Sequence, residues 1–276
     1  PAHSLTPAHS LTPLTRSPPL TPLTRLIMRQ LFSNLFSKSG PTDFSVLGTD
    51  MHSHLLPGID DGVPTLDEAL EVIESMGRLG YRHLVTTPHI MWERYKNTAA
   101  GIRDGERIVQ EAVKKAGIPV TISAAAEYML DDHFAEILAE NDLLTLDRER
   151  RVLVEMSFLH PPLALHQYLF DLQKKGYKPV LAHPERYPFY HMKLDDYQDL
   201  KALGCQFQVN ILSITGHYGP DVQQSAQLLL RHGLVDFLGT DAHRIRHAHT
   251  LHAALRSGHL EKTLAKNRFS NAQLAV

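Results

Sequence analysis

Residues 49–89 indicate the fold most clearly, and they read TDMHSHLLPGIDDGVPTLDEALEVIESMGRLGYRHLVTTPH. A short apolar run ends in two histidines, an amphipathic stretch follows, and a second apolar run ends in another histidine. Thr65 with Glu68 three residues later is a capping box, which predicts the start of a helix, and Gly80 predicts its end. The stretch is therefore one strand–helix–strand unit with polar groups at the end of each strand.

The same alternation continues along the rest of the chain, and we count seven such units. The predicted strands lie near 46–51, 82–87, 118–123, 151–156, 178–182, 205–210 and 235–239. The predicted helices cover 66–79, 97–116, 132–140, 163–175, 195–203, 220–232 and 247–256. Seven βα units indicate a parallel α/β fold, either a barrel or a strongly curled sheet.

The N-terminal region, residues 1–40, has a different composition. It begins with PAHSLT repeated back to back and continues as a proline-rich, low-complexity segment. Such a composition cannot bury enough apolar surface to fold, so we expect a disordered tail. We hypothesise that the natural start is Met28. Residues 41–276 are predicted to form a single folded domain.

The composition bounds the classes of function. The formal net charge of −2 at pH 7 gives no bulk electrostatic case for binding nucleic acid or an acidic membrane. No apolar stretch approaches the ~18 residues needed to span a bilayer, so we expect no membrane insertion.

The single cysteine, Cys205, cannot form an internal disulfide. Its isolation fits a reducing compartment, and we expect a cytoplasmic protein. The oligomeric state stays open.

Histidines and carboxylates recur at the ends of the apolar runs. In H-x-H at 52–54 and D-x-H at 241–243, alternation along an extended chain aims both side chains to one side. The carboxyl ends of parallel strands meet at one mouth of a barrel, so these groups converge. Imidazoles and carboxylates crowded into one pocket need positive charge, which divalent metal supplies. The candidate metal ligands are His52, His54, Asp61, His89, Glu127, His183, Asp241 and His243.

Other residues near these motifs suit a substrate. Arg186, in the stretch HPER, is able to fork onto an anion. Trp92 and Tyr95 follow His89 closely, and two interpretations are open for them: an aromatic lip for a ring-bearing substrate, or ordinary packing.

The sequence lacks the motifs of several classes of phosphate- and nucleotide-binding proteins. A cysteine-dependent phosphatase needs an arginine about six residues beyond its nucleophile, whereas Cys205 is followed by QFQVNIL. The chain contains neither a P-loop nor a glycine-rich dinucleotide fingerprint.

The motifs, taken in order, resemble those of the polymerase-and-histidinol-phosphatase (PHP) superfamily. More narrowly, the chain resembles the bacterial manganese-dependent tyrosine-protein phosphatases that act beside capsule and exopolysaccharide tyrosine kinases. The resemblance runs from about Thr49 to at least His249 and implies a distorted seven-stranded, TIM-like (β/α)7 barrel. The motifs are DMHSHLLPGIDDG at 50–62, TTPH at 86–89, the glutamate of AAAEY at 124–128, HPERY at 183–187 and GTDAH at 239–243.

The resemblance also implies roles for individual residues. One metal would be held by His52, His54, Glu127 and Asp241, and a second by Glu127 and His183. A third would be held by Asp61, His89 and His243. The implied cofactor is Mn²⁺, three ions in all, although mixed nitrogen and oxygen ligands also suit iron or zinc.

Two arginines would contact phosphate, namely Arg186 and Arg246. Arg246 stands in the R-x-x-H pattern that His249 completes. Its spacing from His243 is two residues shorter than in the family, so Arg244 remains an alternative.

The implied function is hydrolysis of phosphotyrosine, by attack of a metal-activated hydroxide, on the phosphorylated tail of a bacterial tyrosine kinase that controls capsule or exopolysaccharide synthesis. A histidinol phosphatase or another PHP phosphoesterase is the nearest alternative. A metal-stabilised protein that binds phosphorylated tails without turnover is a second. A metal-dependent amidohydrolase is a third, without an obvious lysine for carboxylation.

Overall fold

The structure, a computed structural model, describes residues 43–274, which form nine β-strands and nine α-helices. The predicted tail, 1–40, lies outside this range. The strands are β1 (Thr49–Asp50), β2 (His83–Thr86), β3 (His89–Ile90), β4 (Thr121–Ala124), β5 (Glu127–Met129), β6 (Arg151–Glu155), β7 (Lys178–Ala182), β8 (Gln206–Asn210) and β9 (Phe237–Gly239).

The helices follow most of the strands. They are α1 (Leu66–Arg78), α2 (Ala99–Ala116), α3 (Asp132–Glu140), α4 (Leu165–Lys174), α5 (Leu194–Ala202), α6 (Ile211–Ile214), α7 (Pro220–Arg231), α8 (Ile245–Arg256) and α9 (His259–Lys266). None of these nine, the helices of residues 43–274, has the length and apolarity needed to cross a membrane.

The strands form two parallel sheets. One has three strands in the order β1-β2-β4, and the other has six in the order β3-β5-β6-β7-β8-β9. Every pairing is parallel. Only Thr87 and Pro88 separate β2 from β3, and only Ala125 and Ala126 separate β4 from β5. The predicted α/β class with a parallel arrangement is confirmed.

Three details of the strand prediction were wrong. The strand predicted at 46–51 starts too early, because Val46 ends a 3₁₀ helix, Phe44–Val46, in which the Asp43 side chain accepts a hydrogen bond from Ser45 N (3.0 Å) and starts a turn. His89 and Glu127 begin β3 and β5 instead of closing the runs before them. Pro88 has no N–H for the sheet, so the second run breaks there and resumes in the other sheet. Helices α6 and α9 were not predicted.

Helix α1 shows how the sequence sets the elements that cover the sheets. The Thr65 side chain accepts a hydrogen bond from Glu68 N (3.2 Å), as the capping box predicts. The apolar residues of α1 lie three or one apart and share one face, which is buried: Ala69, Val72, Ile73 and Met76. The polar face stays outside.

A small apolar cluster lies apart from the main core. Most of its members come from the strands or from the residues directly after them, so the strands bury side chains among themselves as well as under the helices. The members are Met51, Val85, Ala125, Leu146, Leu153, Val180, Ala182, Phe237 and Leu274.

The first and last strands are linked beyond their ends. Ser53 and Ala242 form a parallel bridge, Asp241 N donates to His52 O (2.8 Å), and His54 N donates to Ala242 O (2.9 Å). Thr240, directly after β9, donates through its backbone N to the buried carboxylate of Asp50 in β1 (2.9 Å). These bonds set the H-x-H and D-x-H motifs side by side, although most of the domain separates them in sequence.

Candidate metal centre

All eight predicted ligands lie in one cluster, beyond the carboxyl ends of β1, β2, β4, β7 and β9. Their donor atoms form overlapping groups, and within each group the atoms lie within 4.8 Å of one another. Three of the groups consist of predicted residues alone: His54, Asp61, His89 and His243; His52, Glu127 and His183; and His52, His54 and Asp241.

Glu127 lies at the centre of the cluster and is fully buried. Its Oε2 atom is 3.1 Å from His52 Nε2 and 3.3 Å from His89 Nδ1, and its Oε1 atom is 3.1 Å from His183 Nε2. Burial opposes ionisation, but the neighbouring imidazoles outweigh it and hold the pKa of Glu127 well below its usual range. A carboxylate whose two oxygens face different histidines is suited to bridging two cations.

Two site residues have a strained backbone. His183, directly after β7, has φ +36°, and Asp241, two residues after β9, has φ +52°. Left-handed conformations outside glycine are uncommon and cost about 1–3 kcal/mol each. Such strain concentrates at functional sites, and here it turns both side chains into the cluster.

A chain of hydrogen bonds behind the cluster fixes the tautomer of His52. Asn210 Nδ2 donates to the Asp241 carboxylate (2.8 Å), and Gln208 Nε2 donates to Asn210 Oδ1 (2.8 Å). His52 Nδ1 lies 2.8 Å from Gln208 Oε1. Because a carboxylate only accepts, each amide is oriented in turn, and His52 must donate through Nδ1. The neutral ring therefore presents an Nε2 lone pair to the cluster.

His54 and His243 are oriented in the same way. His54 Nδ1 donates to Asp60 Oδ2 (2.9 Å), and His243 Nδ1 donates to Asp241 O (2.9 Å). The Nε2 atoms of His52 and His54 then face each other at 3.3 Å, with carboxylate oxygens around them. Converging lone pairs repel unless a cation lies between them, so this donor set fits divalent metal with mixed nitrogen and oxygen ligands.

The electrostatics of the metal-free cluster support the same conclusion. Burial disfavours a charged ring, but the charges of Glu127 and Asp241 outweigh burial and raise the pKa of His52 to about 10. Burial likewise opposes charge on His89, yet Glu127 and Glu155 raise its pKa to about 10. In the absence of metal, protons supply the positive charge that the carboxylates require.

The loop GIDDG, residues 58–62, packs closely on His54 through Gly62. A Cβ on Gly62 would lie 2.6 Å from His54 Cβ and would also collide with His54 O, so only glycine fits. Gly62 N donates to Asp60 Oδ1 (2.8 Å). Asp60 therefore orients His54, while the half-exposed Asp61 places its Oδ1 3.5 Å from both His89 Nε2 and His243 Nε2.

Glu155 is a member of the cluster that the sequence did not single out. It ends β6, is buried, and places Oε1 2.7 Å from His89 Nδ1. With His89 and Glu127 it forms the fourth group of candidate ligands. Burial and the charge of Glu127 raise the pKa of Glu155 to about 7. In the sequence, the only signal for Glu155 is that a carboxylate ends the apolar run RVLVE. Because no histidine stands beside it, Glu155 belongs to no recognisable motif.

The arginines differ in what they contact. Arg186 Nη1 donates to Asp241 Oδ2 (2.9 Å). Arg244 Nη1 donates to two backbone oxygens, those of Asp61 (2.9 Å) and His243 (2.9 Å), so it ties the GIDDG loop to the last motif. Arg246 is exposed, and its guanidinium makes no hydrogen bond or ion pair with residues 43–274.

A cavity of about 760 Å³ opens over the cluster. Its wall includes six of the eight predicted ligands and the three arginines, together with the rings of Tyr95, Phe158 and Tyr218. Of the two aromatic residues singled out after His89, Tyr95 faces the cavity. Trp92 instead packs on His133 (ring centres 4.2 Å apart) and does not line the cavity.

The hydrogen-bond chain behind His52 gives a prediction. Replacing Gln208 by Leu leaves His52 Nδ1 and Asn210 Oδ1 without their partners, so we expect Mn²⁺ to bind about 10- to 100-fold more weakly. Competition with a chelating dye measures this affinity. Gln167→Leu, on the exposed side of α4, is the matched control and should bind as the wild type does. If both variants bound Mn²⁺ with equal affinity, the hydrogen bonds through Gln208 would not support the metal site.

The fold and the site together define the class of protein: a parallel α/β protein with a candidate polynuclear metal centre at its strand ends. The sequence model of one family, "Capsular polysaccharide synthesis, CpsB/CapC", matches residues 48–269. The chain belongs to this family, and the resemblance indicated by the motifs is confirmed.

Individual relatives agree with the family. The tyrosine-protein phosphatase YwqE of Bacillus subtilis is 31% identical over 206 residues, which are 74% of this chain and 81% of YwqE. The tyrosine-protein phosphatase CpsB of Streptococcus agalactiae is 27% identical over 201 residues, 71% of this chain and 83% of that protein.

A solved structure shares the fold. It comes from a study of YwqE from Bacillus subtilis and CpsB from Streptococcus pneumoniae, described as unique metal-dependent tyrosine phosphatases. The match has a TM-score of 0.71 and 30% sequence identity, and it covers 78% of this chain and 86% of the other.

Proposed function

We propose that this protein is a metal-dependent protein-tyrosine phosphatase, which hydrolyses the phosphate monoester of phosphotyrosine in a protein substrate. One observation carries the proposal: a single cavity joins a buried histidine–carboxylate cluster to the guanidinium groups of Arg186 and Arg246. Such a cavity suits a dianionic ester beside divalent cations. The relatives named as tyrosine-protein phosphatases support the same activity.

We assign the activity to a domain of residues 41–276 and propose that its two sheets close into one distorted seven-stranded barrel. Counting β2 with β3 and β4 with β5 gives seven strands. The bridge between Ser53 and Ala242 supports closure. The apolar cluster formed largely by strand residues supports a filled barrel interior.

The cofactor we propose is Mn²⁺, in up to three ions, with iron or zinc as chemically suited substitutes. The eight predicted ligands would hold it, and Glu155 joins them by its position between His89 and Glu127. When bound, divalent ions lower the pKa of water and polarise a phosphoryl group.

The chain's own groups bind and orient the ester. Arg186 is anchored through Nη1 to Asp241, which leaves its remaining N–H groups to donate to phosphate oxygens. Arg246, without a partner in residues 43–274, donates from the rim of the same cavity. Both neutralise charge on the equatorial oxygens as it develops. Tyrosine has a pKa of about 10, so its phenoxide leaves without a dedicated proton donor.

The family supports a proposal for the substrate and its location. We propose that the enzyme acts in the cytoplasm on the phosphorylated tail of a tyrosine kinase that governs capsule or exopolysaccharide synthesis. The family of capsular polysaccharide synthesis proteins supports this setting. The single, buried Cys205 suits a reducing compartment.

The two candidate arginines after the last motif lead to different predictions. Arg246→Ala should weaken competitive inhibition by inorganic phosphate and lower kcat/KM by about 10- to 100-fold, because it removes a charge-assisted donor from the cavity. Arg244→Ala should lower the melting temperature, because it frees the GIDDG loop, and should weaken phosphate inhibition less than Arg246→Ala does. If the two variants exchanged these effects, Arg244 would be the phosphate ligand.

The activity is tested by comparing two phosphate esters at equal enzyme concentration. Phosphate release from a phosphotyrosine peptide should exceed release from histidinol phosphate by a wide margin in the Mn²⁺-loaded protein. Faster release from histidinol phosphate would favour the other phosphatase branch. Binding of the peptide without repeated turnover would favour the non-catalytic alternative.

A further inference from the structure

We propose that Phe158 is a specificity-determining residue, whose ring packs against the aromatic leaving group of the substrate. The inference rests on the proposed function, since it concerns which phosphate esters the same cavity accepts. It adds a residue that neither the sequence motifs nor the metal cluster identified.

Phe158 is covered by its neighbours over only part of its surface. It lies three residues after the end of β6, and its ring stacks on that of the candidate ligand His183, with centres 5.8 Å apart and planes 18° apart. Tyr187 lies beside it at 5.4 Å. Even so, Phe158 is 42% exposed and lines the cavity. A large apolar ring that packs on a buried histidine and leaves part of its surface exposed in the cavity offers a contact that a ligand can fill.

The ring also lies beside the group that would hold phosphate. The Arg186 guanidinium carbon is 5.1 Å from the centre of Phe158 and 4.7 Å from the centre of Tyr218. Arg186 is thus packed on two rings while its Nη1 atom is bound to Asp241. Phe158 therefore contacts both the anion-binding guanidinium and an imidazole of the metal cluster.

This position selects for the leaving group. In an aryl phosphate a single bridging oxygen joins the ring to phosphorus, so a phosphate held by Arg186 brings its ring next to the exposed surface of Phe158. An aromatic pair gains about three- to tenfold in affinity beyond simple area burial. A methyl or alkyl ester bound through the same phosphate gains none of this. Phe158 thereby favours phosphotyrosine over aliphatic phosphates.

Tyr95 is the competing candidate for this contact. It stacks on His89 with centres 5.5 Å apart and planes 15° apart, and it lines the same cavity. Within residues 43–274, however, the rings packed on Arg186 are those of Phe158 and Tyr218. A phosphate on Arg186 is flanked by Phe158, which decides between the two.

The test measures binding separately from turnover. Calorimetry with the Mn²⁺-loaded full chain compares phenylphosphonate with methylphosphonate, neither of which is hydrolysed, in the wild type, Phe158→Ala, Phe158→Leu and Tyr95→Ala. Phe170→Ala is the matched control, since Phe170 is 60% exposed on α4 and does not line the cavity. Circular dichroism confirms that each variant is folded. The same preparations are assayed for phosphate release from a phosphotyrosine peptide.

We expect the wild type to prefer phenylphosphonate and Phe158→Ala to bind it about three- to tenfold more weakly with methylphosphonate unchanged. Phe158→Leu should retain part of the preference, because it keeps apolar surface. Equal weakening of both phosphonates by Phe158→Ala would overturn the inference, since that result assigns the ring to holding Arg186. Loss of the preference in Tyr95→Ala alone would also overturn it. A wild type that keeps the phenylphosphonate preference but releases no phosphate would contradict the proposed function and leave the ring contact standing.

Discussion

The Glu127→Gln variant is expected to lose most of its bound metal and to hydrolyse a phosphotyrosine peptide with kcat/KM lower by roughly a thousandfold, equivalent to about 4 kcal/mol of lost transition-state stabilisation. Glu127 is buried and faces histidines with both oxygens. An amide in its place removes one negative charge from the centre of the cluster and turns an N–H₂ group toward nitrogen lone pairs. Mass spectrometry of metal content and steady-state kinetics measure the two effects.

The control for this variant is Glu140→Gln, an exposed glutamate at the end of α3. It changes the net charge equally and should keep wild-type metal content and rate. A folded Glu127→Gln protein with full metal content and full activity would show that the centre of the cluster has been assigned wrongly.

The Arg186→Ala variant is expected to separate metal binding from phosphate binding. Asp241 keeps its bond from Asn210, so metal content should stay at the wild-type level. The loss of a preorganised cation should lower kcat/KM by about 10²- to 10³-fold and weaken inhibition by inorganic phosphate. The inhibition constant of phosphate and the metal content, measured on one preparation, test both halves of the expectation.

Arg186→Lys is the conservative comparison. Lysine keeps the charge but has neither the forked donor geometry nor the flat face that packs on Phe158 and Tyr218, so it should restore only part of the rate. Full activity in Arg186→Ala would contradict the phosphate-binding role. Loss of metal in both variants would mean that Arg186 serves chiefly to hold Asp241.

The convergence of the candidate ligands could be predicted from the sequence in part, because part of it depends on local periodicity. Residues 52 and 54 alternate as the H-x-H pattern predicts, and a parallel sheet brings its strand ends together. Asp241 differs, because its left-handed backbone (φ +52°) turns its side chain into the cluster, which alternation alone does not predict. The helices were predictable for the same kind of reason, as the capped, one-faced helix α1 illustrates.

The remaining features depend on long-range geometry. Glu155 joins the cluster because β5 pairs with β6, a register that no local motif encodes. The roles of Arg244 and Arg246 separate only when the backbone oxygen of Asp61 is seen beside Arg244. The division of the second and third runs between two sheets follows from pairing choices made across the whole domain.

The metal dependence of phosphotyrosine hydrolysis is measured as phosphate release from a phosphotyrosine peptide by chelator-stripped protein while Mn²⁺ is titrated back, with Asp241→Asn measured in parallel. The proposed function predicts negligible release without metal, recovery that rises with bound Mn²⁺, and no comparable recovery in the variant. Full turnover by the stripped protein, or none by a folded and metal-loaded wild type, would contradict it.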